Sequence, residues 1–317
     1  MYLSKYKFGV IGVGPVGGIM AAHLAKAGYN VTLIDILKAH MDEIINNGLT
    51  ITGLKDLNVN FSKSNICYGI DELESKDIDI FFISVKASIL QQILPMLKTV
   101  TNKETVFISL QNGLDNEELI AKVFGKSNTL RIVVNYAGNL IENGRIRMSF
   151  FNSPNYIGMI DPSRVGRAKE LAEIITKADL ETAFTPEIKK YEWEKIILNA
   201  ALSPVCALTR RTMRQMMEFK NTRDLTEAIL REAIEVADAN GIHFNSNFLE
   251  FCMKYLDNAG HHRTSMHVDI EKRSPTEIDF INDKIVKYGE KKGIPTPYNS
   301  TIVSLIKGAE LPEYIGA

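Results

Sequence analysis

The sequence predicts an α/β fold in which a doubly wound parallel sheet is followed by an all-helical C-terminal domain. In the first half, short apolar runs alternate with segments of helical spacing, which is the pattern of parallel strands joined by crossover helices. From residue 186 onward the apolar spacing is helical almost throughout. A chain of 317 residues can form two domains with buried cores. We assign residues 1–185 to the first domain and 186–317 to the second.

The composition is that of an ordinary globular protein. Apolar residues make up 45% of the chain and charged residues 24%, with a net charge of −1. Because there is no long basic run, nucleic acid and anionic membranes are disfavoured as partners. The apolar run at 80–85 is far too short to span a bilayer. The N-terminus lacks the pattern of a secretory signal, so we expect a cytoplasmic protein. We expect this protein to be a monomer or a homodimer.

The cysteines give no sign of a metal site. Cys67, Cys206 and Cys252 are far apart and lack the spacing of metal ligands. An odd, scattered set is typical of small buried apolar side chains in a reducing compartment. We therefore expect buried thiols and no metal.

A strand predicted over residues 8–11 leads directly into a glycine-rich turn with the spacing GxGxxG. The first glycine allows the tight bend, the second lets a pyrophosphate approach the backbone, and the third lets the next helix, predicted over 19–26, pack on the strand. Free N–H groups at the helix start would hold the phosphates. The alternative is a glycine-rich turn without a ligand. The residues predicted to bind a dinucleotide here are Gly12, Val13, Gly14, Pro15, Val16 and Gly17.

A second strand, predicted over 30–34, ends on Asp35 and completes the context of a Rossmann-type dinucleotide site. The Asp35 carboxylate can accept hydrogen bonds from the adenosine ribose hydroxyls, and it would repel the 2′-phosphate of NADP(H). No arginine follows it, and Lys38 is the nearest base. The sequence therefore favours NAD(H), with NADP(H) as the alternative.

Later elements continue the α/β alternation. Apolar runs over 79–85 and 105–110 predict central parallel strands. Lys86 and Asn112 follow these strands at the carboxyl ends, where such sheets bind ligands, although either side chain could simply be solvated. Further predicted helices cover 37–47, 88–97, 116–124 and 165–178, and further strands lie within 130–136, 148–159 and 180–184. Short strands within 49–61 and 66–68 are expected beside the main sheet.

The sequence Thr-Pro-Glu at 185–187 predicts the start of the helix that opens the second domain. Between 193 and 208 this helix is apolar except for Lys195, Asn199 and Ser203, which are four residues apart and so share one face. A narrow polar line on an apolar helix indicates a cleft or a buried polar network. The alternative is structural, with Lys195 paired to a carboxylate.

A second polar segment lies near the C-terminus and contains Ser265 and Glu277. Ser274 and Glu277 match a capping box, with Pro275 at the first helical position. On this interpretation Glu277 holds a helix start and Ser265 caps a preceding turn. Neither residue alone indicates a functional site.

Blocks of sequence in a fixed order are more specific than any single motif. The blocks are Gly12-x-Gly14-x-x-Gly17, Val85-Lys86-Ala87, Gln111-Asn112-Gly113, Trp193-x-Lys195-x-x-x-Asn199, Ser265-Met266-x-x-Asp269 and Pro275-Thr276-Glu277-Ile278-Asp279-x-Ile281-Asn282. Together they resemble the ketopantoate reductase (2-dehydropantoate 2-reductase) family along nearly the whole chain. The Rossmann domain and helical domain of that family agree with the predicted fold.

The resemblance implies a reductase in which hydride passes from the nicotinamide to the C2 keto carbon of a 2-oxo acid. The lysine matching Lys195 protonates or stabilises the oxygen on which negative charge grows. A lysine suits this task because a desolvated ammonium has a lowered pKa. The glutamate matching Glu277 binds the substrate hydroxyl and supports the lysine. The other matches contact substrate, at Asn199, Ser203 and Ser265, or line the cofactor cleft, at Lys86 and Asn112, the last of which we also expect to reach the substrate.

Departures from the family keep other functions open. The family often has asparagine in place of Ser203, and its NADPH-using members commonly carry arginine just after the second strand, where this chain has Asp35-Ile36. The usual Gly-Arg before the last block is Arg273-Ser274. An NAD-dependent D-2-hydroxy-acid dehydrogenase of the same superfamily fits the first two departures. A non-enzymatic dinucleotide sensor is a further alternative, although it has no need of Lys195.

Overall fold

The structure is a computed structural model and describes residues 6–73 and 78–311. The chain divides into two compact units. The first contains residues up to 111 together with 115–188, and the second contains 112–114 together with the residues from 189 onward. The main boundary between the units therefore falls between Ile188 and Lys189, and the short segment 112–114 belongs to the second unit. We expected a single boundary after residue 185.

Two sheets form the framework of the first unit. Their strands are β1 (Lys7–Ile11), β2 (Asn30–Ile34), β3 (Leu49–Gly53), β4 (Leu57–Val59), β5 (Ile66–Cys67), β6 (Ile80–Ile83), β7 (Val106–Ser109), β8 (Thr129–Val133), β9 (Tyr136–Glu142), β10 (Arg145–Phe151), β11 (Asn155–Met159) and β12 (Thr182–Phe184).

Helices connect many of the strands and form most of the chain after the last strand. Those between the strands are α1 (Pro15–Lys26), α2 (Lys38–Asn47), α3 (Leu90–Val100), α4 (Asn116–Phe124) and α5 (Val165–Lys177). Those after the last strand are α6 (Ile188–Thr209), α7 (Met213–Glu218), α8 (Lys220–Ala239), α9 (Phe248–Asp257), α10 (Ser265–Glu271), α11 (Asn282–Lys292) and α12 (Pro297–Ala309). Within the described ranges, no helix combines the length and the apolar content that a membrane crossing requires.

The main sheet confirms the predicted fold class. Its strand order is β12-β11-β8-β7-β6-β1-β2-β5, and all neighbours are parallel except β8 and β11. Strand β1 pairs with β2 on one side and with β6 on the other. The strand order therefore reverses at β1, and the crevice at such a reversal is where open α/β sheets bind ligands.

A second sheet was not expected. Its order is β4-β3-β10-β9, so the strands predicted within 49–61 do not lie beside the main sheet, and that prediction was wrong. Strands β9 and β10 are an antiparallel hairpin, and β10 pairs with β3 in parallel. The connection Asn143-Gly144 is a two-residue turn of the kind that favours tight hairpins.

Each unit has its own apolar core. In the second unit the core is built on α6, where Trp193 packs edge-on against Tyr288 with ring centroids 5.3 Å apart. All three cysteines are buried and free, as expected. Burial raises the pKa of Cys206 and of Cys252 to about 12, so neither thiol ionises near neutral pH.

Candidate active site

Close packing requires two of the three motif glycines in the turn after β1. Gly12 has a φ of 88°, and a Cβ there would lie 2.8 Å from the backbone nitrogen of Val85. A Cβ on Gly17 would lie 2.1 Å from the Gly12 carbonyl oxygen and 2.2 Å from Oγ of Ser84. Ser84, for which no role was expected, also donates a 2.6 Å hydrogen bond to that carbonyl. A side chain at either glycine would therefore displace the turn.

Gly14 differs because its Cβ position faces open space. Among the described residues, no heavy atom apart from its chain neighbours lies within 4 Å of a Cβ built there. Gly14 is the N-cap of α1, has no side-chain cap, and is followed by Pro15 in the first turn. First-turn amides lack partners within their helix, and with the helix dipole they form an anion site. The residues present therefore fit the pyrophosphate of a dinucleotide.

Both oxygens of Asp35 are held by the backbone. The N–H of Val13 donates to Oδ2 over 2.7 Å, and the N–H of Leu37 donates to Oδ1 over 2.8 Å. These bonds fix the carboxylate just after β2, and they engage the Val13 amide within the protein. Lys38, the nearest base, is exposed, and its Nζ lies 5.9 Å from the centroid of the Tyr68 ring.

His40 is a second support of the glycine-rich turn that sequence reasoning missed. The N–H of Gly144, in the β9–β10 connection, donates to Nδ1 over 2.9 Å. Nδ1 is therefore unprotonated, and Nε2–H donates to the Val13 carbonyl over 3.0 Å. Burial lowers the pKa of His40 below its usual value, which keeps the ring neutral. Asp35 and His40 together bind both polar groups of Val13.

The remaining expected dinucleotide residues lie near this turn or follow the next strand of the sheet. Val16 accepts a 3.0 Å hydrogen bond at its carbonyl from the hydroxyl of Tyr136, on β9. Lys86 is half-buried, follows β6 after Ser84-Val85 and precedes a 3₁₀ turn. Its position is therefore the one expected from the strand pattern.

The polar line predicted for the second domain lies on α6. Lys195 and Asn199 are half-buried, and Ser203 is 7% exposed. The neighbouring residues Ile197 and Ala201 are fully buried in the apolar core. Lys195, Asn199 and Ser203 are thus polar residues on a helix that otherwise contributes mainly apolar side chains to the core of the second unit.

Glu277 does not form the predicted capping box. Helix α11 begins at Asn282, a single 3₁₀ turn follows Glu277, and the Glu277 side chain makes no cap hydrogen bond. The physical reason lies outside the local sequence. Both the N–H and the hydroxyl of Thr276 donate to Oε1 of Glu310, over 2.7 and 2.6 Å, and this fixes the chain in a non-helical turn after Ser274.

The Glu277 carboxylate instead accepts a hydrogen bond from another predicted site residue. Nδ2 of Asn112 donates to Oε2 of Glu277 over 3.3 Å, and both side chains are half-buried. Nearby, the N–H of Leu114 donates to the Phe280 carbonyl over 3.1 Å. The segment after β7 is therefore fixed against the turn that carries Glu277.

Ser265 is linked to α6 through the residue before it. Ser265 is exposed and begins α10, whereas the cap of that helix is Thr264, which accepts from the His267 N–H over 3.2 Å. The suggestion that Ser265 is a cap was wrong. The Thr264 hydroxyl also donates to the Ser203 carbonyl over 3.2 Å. Ser265 and Ser203 therefore lie on segments that are joined directly.

Comparison with known families agrees with this arrangement. The model of "Ketopantoate reductase PanE/ApbA" matches residues 8–162, and that of "Ketopantoate reductase PanE/ApbA C terminal" matches residues 187–310. Together they cover most of the chain, in the order that the two units require. The chain belongs to the ketopantoate reductase family. Both family descriptions name a reductase, so this is an oxidoreductase family.

Individual relatives extend the likeness over the full length. A protein of Streptococcus pyogenes serotype M6 named 2-dehydropantoate 2-reductase is 29% identical over 95% of this chain and 97% of its own. A structure of 2-dehydropantoate 2-reductase from Geobacter metallireducens has a TM-score of 0.89 at 24% identity, over 96% of this chain and 99% of that one. A structure of D-mandelate dehydrogenase with NADH and anilino(oxo)acetate has a TM-score of 0.88 at 24% identity, over 96% and 98%. At these identities the two structures support the fold.

One residue that departs from the ketopantoate reductase pattern has an unusual backbone conformation. Arg273, which stands where the family usually has glycine, has a φ of 53° in the left-handed region. The family's glycine suits this conformation better than arginine does. Arginine therefore adopts at this turn a backbone conformation that glycine would take at lower cost.

Proposed function

We propose that this protein reduces 2-dehydropantoate to pantoate with a nicotinamide dinucleotide. The observation that carries the proposal is the hydrogen bond from Asn112 to Glu277. This bond joins two of the residues that match the family's site, although the sequence separates them widely. Segments carrying the other expected substrate residues are connected to α6 in the same unit.

The residues of this chain would bind and orient the 2-oxo acid and handle the proton. Lys195 would donate a proton to the C2 oxygen or stabilise its growing negative charge. Glu277 would accept a hydrogen bond from the substrate hydroxyl. The side chains proposed to orient the rest of the substrate are those of Asn112, Asn199, Ser203 and Ser265. When bound, the reduced nicotinamide supplies the hydride.

We propose NAD(H) as the preferred dinucleotide. Asp35 is anchored by two backbone amides, so its carboxylate cannot turn away from a 2′-phosphate without losing both hydrogen bonds. Lys38 is the nearest base, and its ammonium lies over the Tyr68 ring. Both observations favour the cofactor that lacks the phosphate.

The second candidate is an NAD-dependent D-2-hydroxy-acid dehydrogenase. Two residues favour it, namely the short, buried Ser203 in place of the family's usual asparagine, and the anchored Asp35. A D-mandelate dehydrogenase solved with NADH shares the fold. The two candidates differ in the side chain of the 2-oxo acid and in the physiological direction.

The test is a panel of 2-oxo acids, including ketopantoate, phenylglyoxylate and branched aliphatic members, assayed with NADH and with NADPH. The highest kcat/KM on ketopantoate supports the first candidate, and the highest on an aryl or simple aliphatic acid supports the second. Binding of the dinucleotide with no turnover on any member would favour the sensor and contradict both candidates.

A further inference from the structure

Helix α6 contains a proline immediately after Ser203. Pro204 has no N–H, so the carbonyl of Ala200, four residues earlier, loses the donor that an α-helix would supply. Ala200 is fully buried, which excludes water as a simple replacement. An unpaired carbonyl buried in an apolar core is costly. Another group must satisfy it.

The group that does so is the side chain of Asn282. Its Nδ2 donates to the Ala200 carbonyl over 3.0 Å, and Asn282 is fully buried at the start of α11. The same Nδ2 donates to Oδ1 of Asn299 over 3.0 Å. Two acceptors on one amide nitrogen fix its orientation, since a flipped amide would place oxygen against both.

The anchor extends to a buried carboxylate on α8. Nδ2 of Asn299 donates to Oε2 of Glu232 over 2.8 Å, and the backbone N–H of Asn299 donates to the same oxygen over 2.9 Å. The N–H of Tyr298 donates to the other oxygen over 2.8 Å. The Asn282 side chain is therefore held by α12 and α8, and it holds α6 in turn.

A second hydrogen bond from outside the helix holds α6 three residues further along, at Ser203. The Ser203 carbonyl accepts from the hydroxyl of Thr264, the residue before Ser265. The two contacts hold the backbone of α6 at Ala200 and at Ser203. Ala200 is the neighbour of Asn199, and Ser203 is itself one of the expected substrate residues. These two hydrogen bonds, both just before Pro204, thus fix the part of the α6 backbone that carries these polar side chains.

We propose that Asn282 is a positioning residue for the reaction: by replacing the amide that Pro204 lacks, it holds α6 so that Asn199 and Ser203 meet the substrate in a productive geometry. This inference rests on the proposed function. Asn282 acts through α6 and has no contact of its own with the reacting atoms. Its side-chain oxygen, Oδ1, has no hydrogen-bond partner among the described residues, so the contacts of this side chain with α6 and α12 are made through its amide nitrogen.

The first part of the test is kinetic. Asn282→Ala should lower kcat/KM for the 2-oxo acid by about 10-fold to 100-fold, since small misplacements of binding groups have effects of this size. Dinucleotide affinity should stay within two-fold, because the glycine-rich turn and Asp35 belong to the other unit. The matched control is Asn240→Ala, which removes a 2.7 Å amide bond to the Val236 carbonyl on α8. It should lower stability and leave kcat/KM unchanged.

The second part is a thermal-unfolding cycle with Pro204→Ala. Alanine at 204 restores an N–H for the Ala200 carbonyl, so Asn282→Ala should lower the Tm less in that background than in the wild type. Equal kinetic effects of Asn282→Ala and Asn240→Ala, or the same loss of Tm in both backgrounds, would overturn the proposal. If Asn282→Ala does not fold, Asn282→Ser, which keeps a shorter donor, takes its place in both measurements. A wild type without turnover on any 2-oxo acid would overturn the proposed function and this inference together. If the wild type is active, the variants test the role of Asn282 alone.

Discussion

Asn112 and Glu277 are hydrogen-bonded over 3.3 Å although 165 positions separate them in the chain. The bond depends on the course of the chain after β7, where Gln111 belongs to the first unit and Asn112 to the second. A residue at a strand end is thereby built into the helical unit. This placement favours the proposed contact of Asn112 with the substrate.

Glu277→Gln should weaken catalysis with little loss of stability. The Glu277 carboxylate caps no helix, so its charge is not needed at a helix start. The glutamine keeps an acceptor for Asn112 but loses the negative charge proposed to bind the substrate hydroxyl and support Lys195. We expect a higher KM or a lower kcat, with the Tm nearly unchanged. Asp283→Asn, which removes a carboxylate paired with Lys287 over 2.5 Å on α11, is the control and should leave kinetics alone. Wild-type kcat and KM in Glu277→Gln would exclude the proposed role of Glu277 in binding the substrate hydroxyl and supporting Lys195.

Lys195→Ala should lower kcat by roughly 10²-fold to 10⁴-fold, the range for loss of a general acid. Dinucleotide binding should persist, because the glycine-rich turn lies in the first unit. Lys190→Ala provides the comparison on the same helix, where the ammonium lies 5.9 Å from the Phe244 ring centroid. Near-normal turnover in folded Lys195→Ala would remove this lysine from the mechanism.

Two glycine substitutions should separate dinucleotide binding from folding. Gly14→Ala places a methyl group in open space, so the Tm without ligand should hardly change while the dinucleotide Kd rises about 10-fold or more. Gly17→Ala places its Cβ against the Gly12 carbonyl and should lower the Tm strongly. Dye-monitored melting and fluorescence titration measure the two effects. Unchanged dinucleotide affinity in Gly14→Ala would contradict the assigned site.

Cofactor choice should depend on the charge of Asp35. A carboxylate about 4 Å from a phosphate charge costs about 1 kcal/mol even at the dielectric constant of water, and several times more when partly buried. We expect wild-type kcat/KM to be ten-fold or more higher with NADH than with NADPH at one ionic strength, and Asp35→Asn to narrow the ratio. Asp79→Asn alters another carboxylate that accepts a backbone N–H, over 2.8 Å from Lys7, and should leave the ratio as it is. A wild type that prefers NADPH would refute the argument and direct attention to Lys38.

Stability should fall below pH 6.5, partly because of His40. Burial lowers its pKa from the usual 6.5, so the folded protein binds fewer protons there than the unfolded chain. The contribution of neutral His40 to the free energy of unfolding is complete above pH 6.5 and is lost as the pH falls below 6.5. The free energy of unfolding then changes by at most about 1.4 kcal/mol per pH unit for this one group. His23, whose pKa burial also lowers, adds to the effect. Chemical denaturation between pH 5 and 8 should give a shallower slope for His40→Gln than for the wild type.

The sequence predicted best what is encoded locally. Strand β2 has the predicted bounds, because an apolar run between a polar residue and Asp35 is sufficient to define it. The helix after the glycine-rich turn begins earlier than predicted, since Pro15 is well suited to a first turn. The polar line on α6 was visible because helical spacing places every fourth residue on one face.

Remote partners decided the features that the sequence did not predict. We did not predict the hairpin of β9 and β10, although Asn143-Gly144 is a local turn signal, and the pairing of β10 with β3 joins distant segments and has no local signal. The capping box failed because Glu310, near the end of the described chain, binds Thr276. Pro204 does imply an unpaired carbonyl at Ala200, yet the sequence alone does not name Asn282 as its partner.

The double anchoring of Asp35 limits how this chain could change its cofactor during evolution. Arginine at position 35 would provide a phosphate ligand but would leave the amides of Val13 and Leu37 without acceptors. A single substitution would therefore loosen the turn proposed to hold the pyrophosphate while it created the new contact. A lineage moving toward a phosphorylated dinucleotide would first need another acceptor for those amides, so the order of its mutations is constrained.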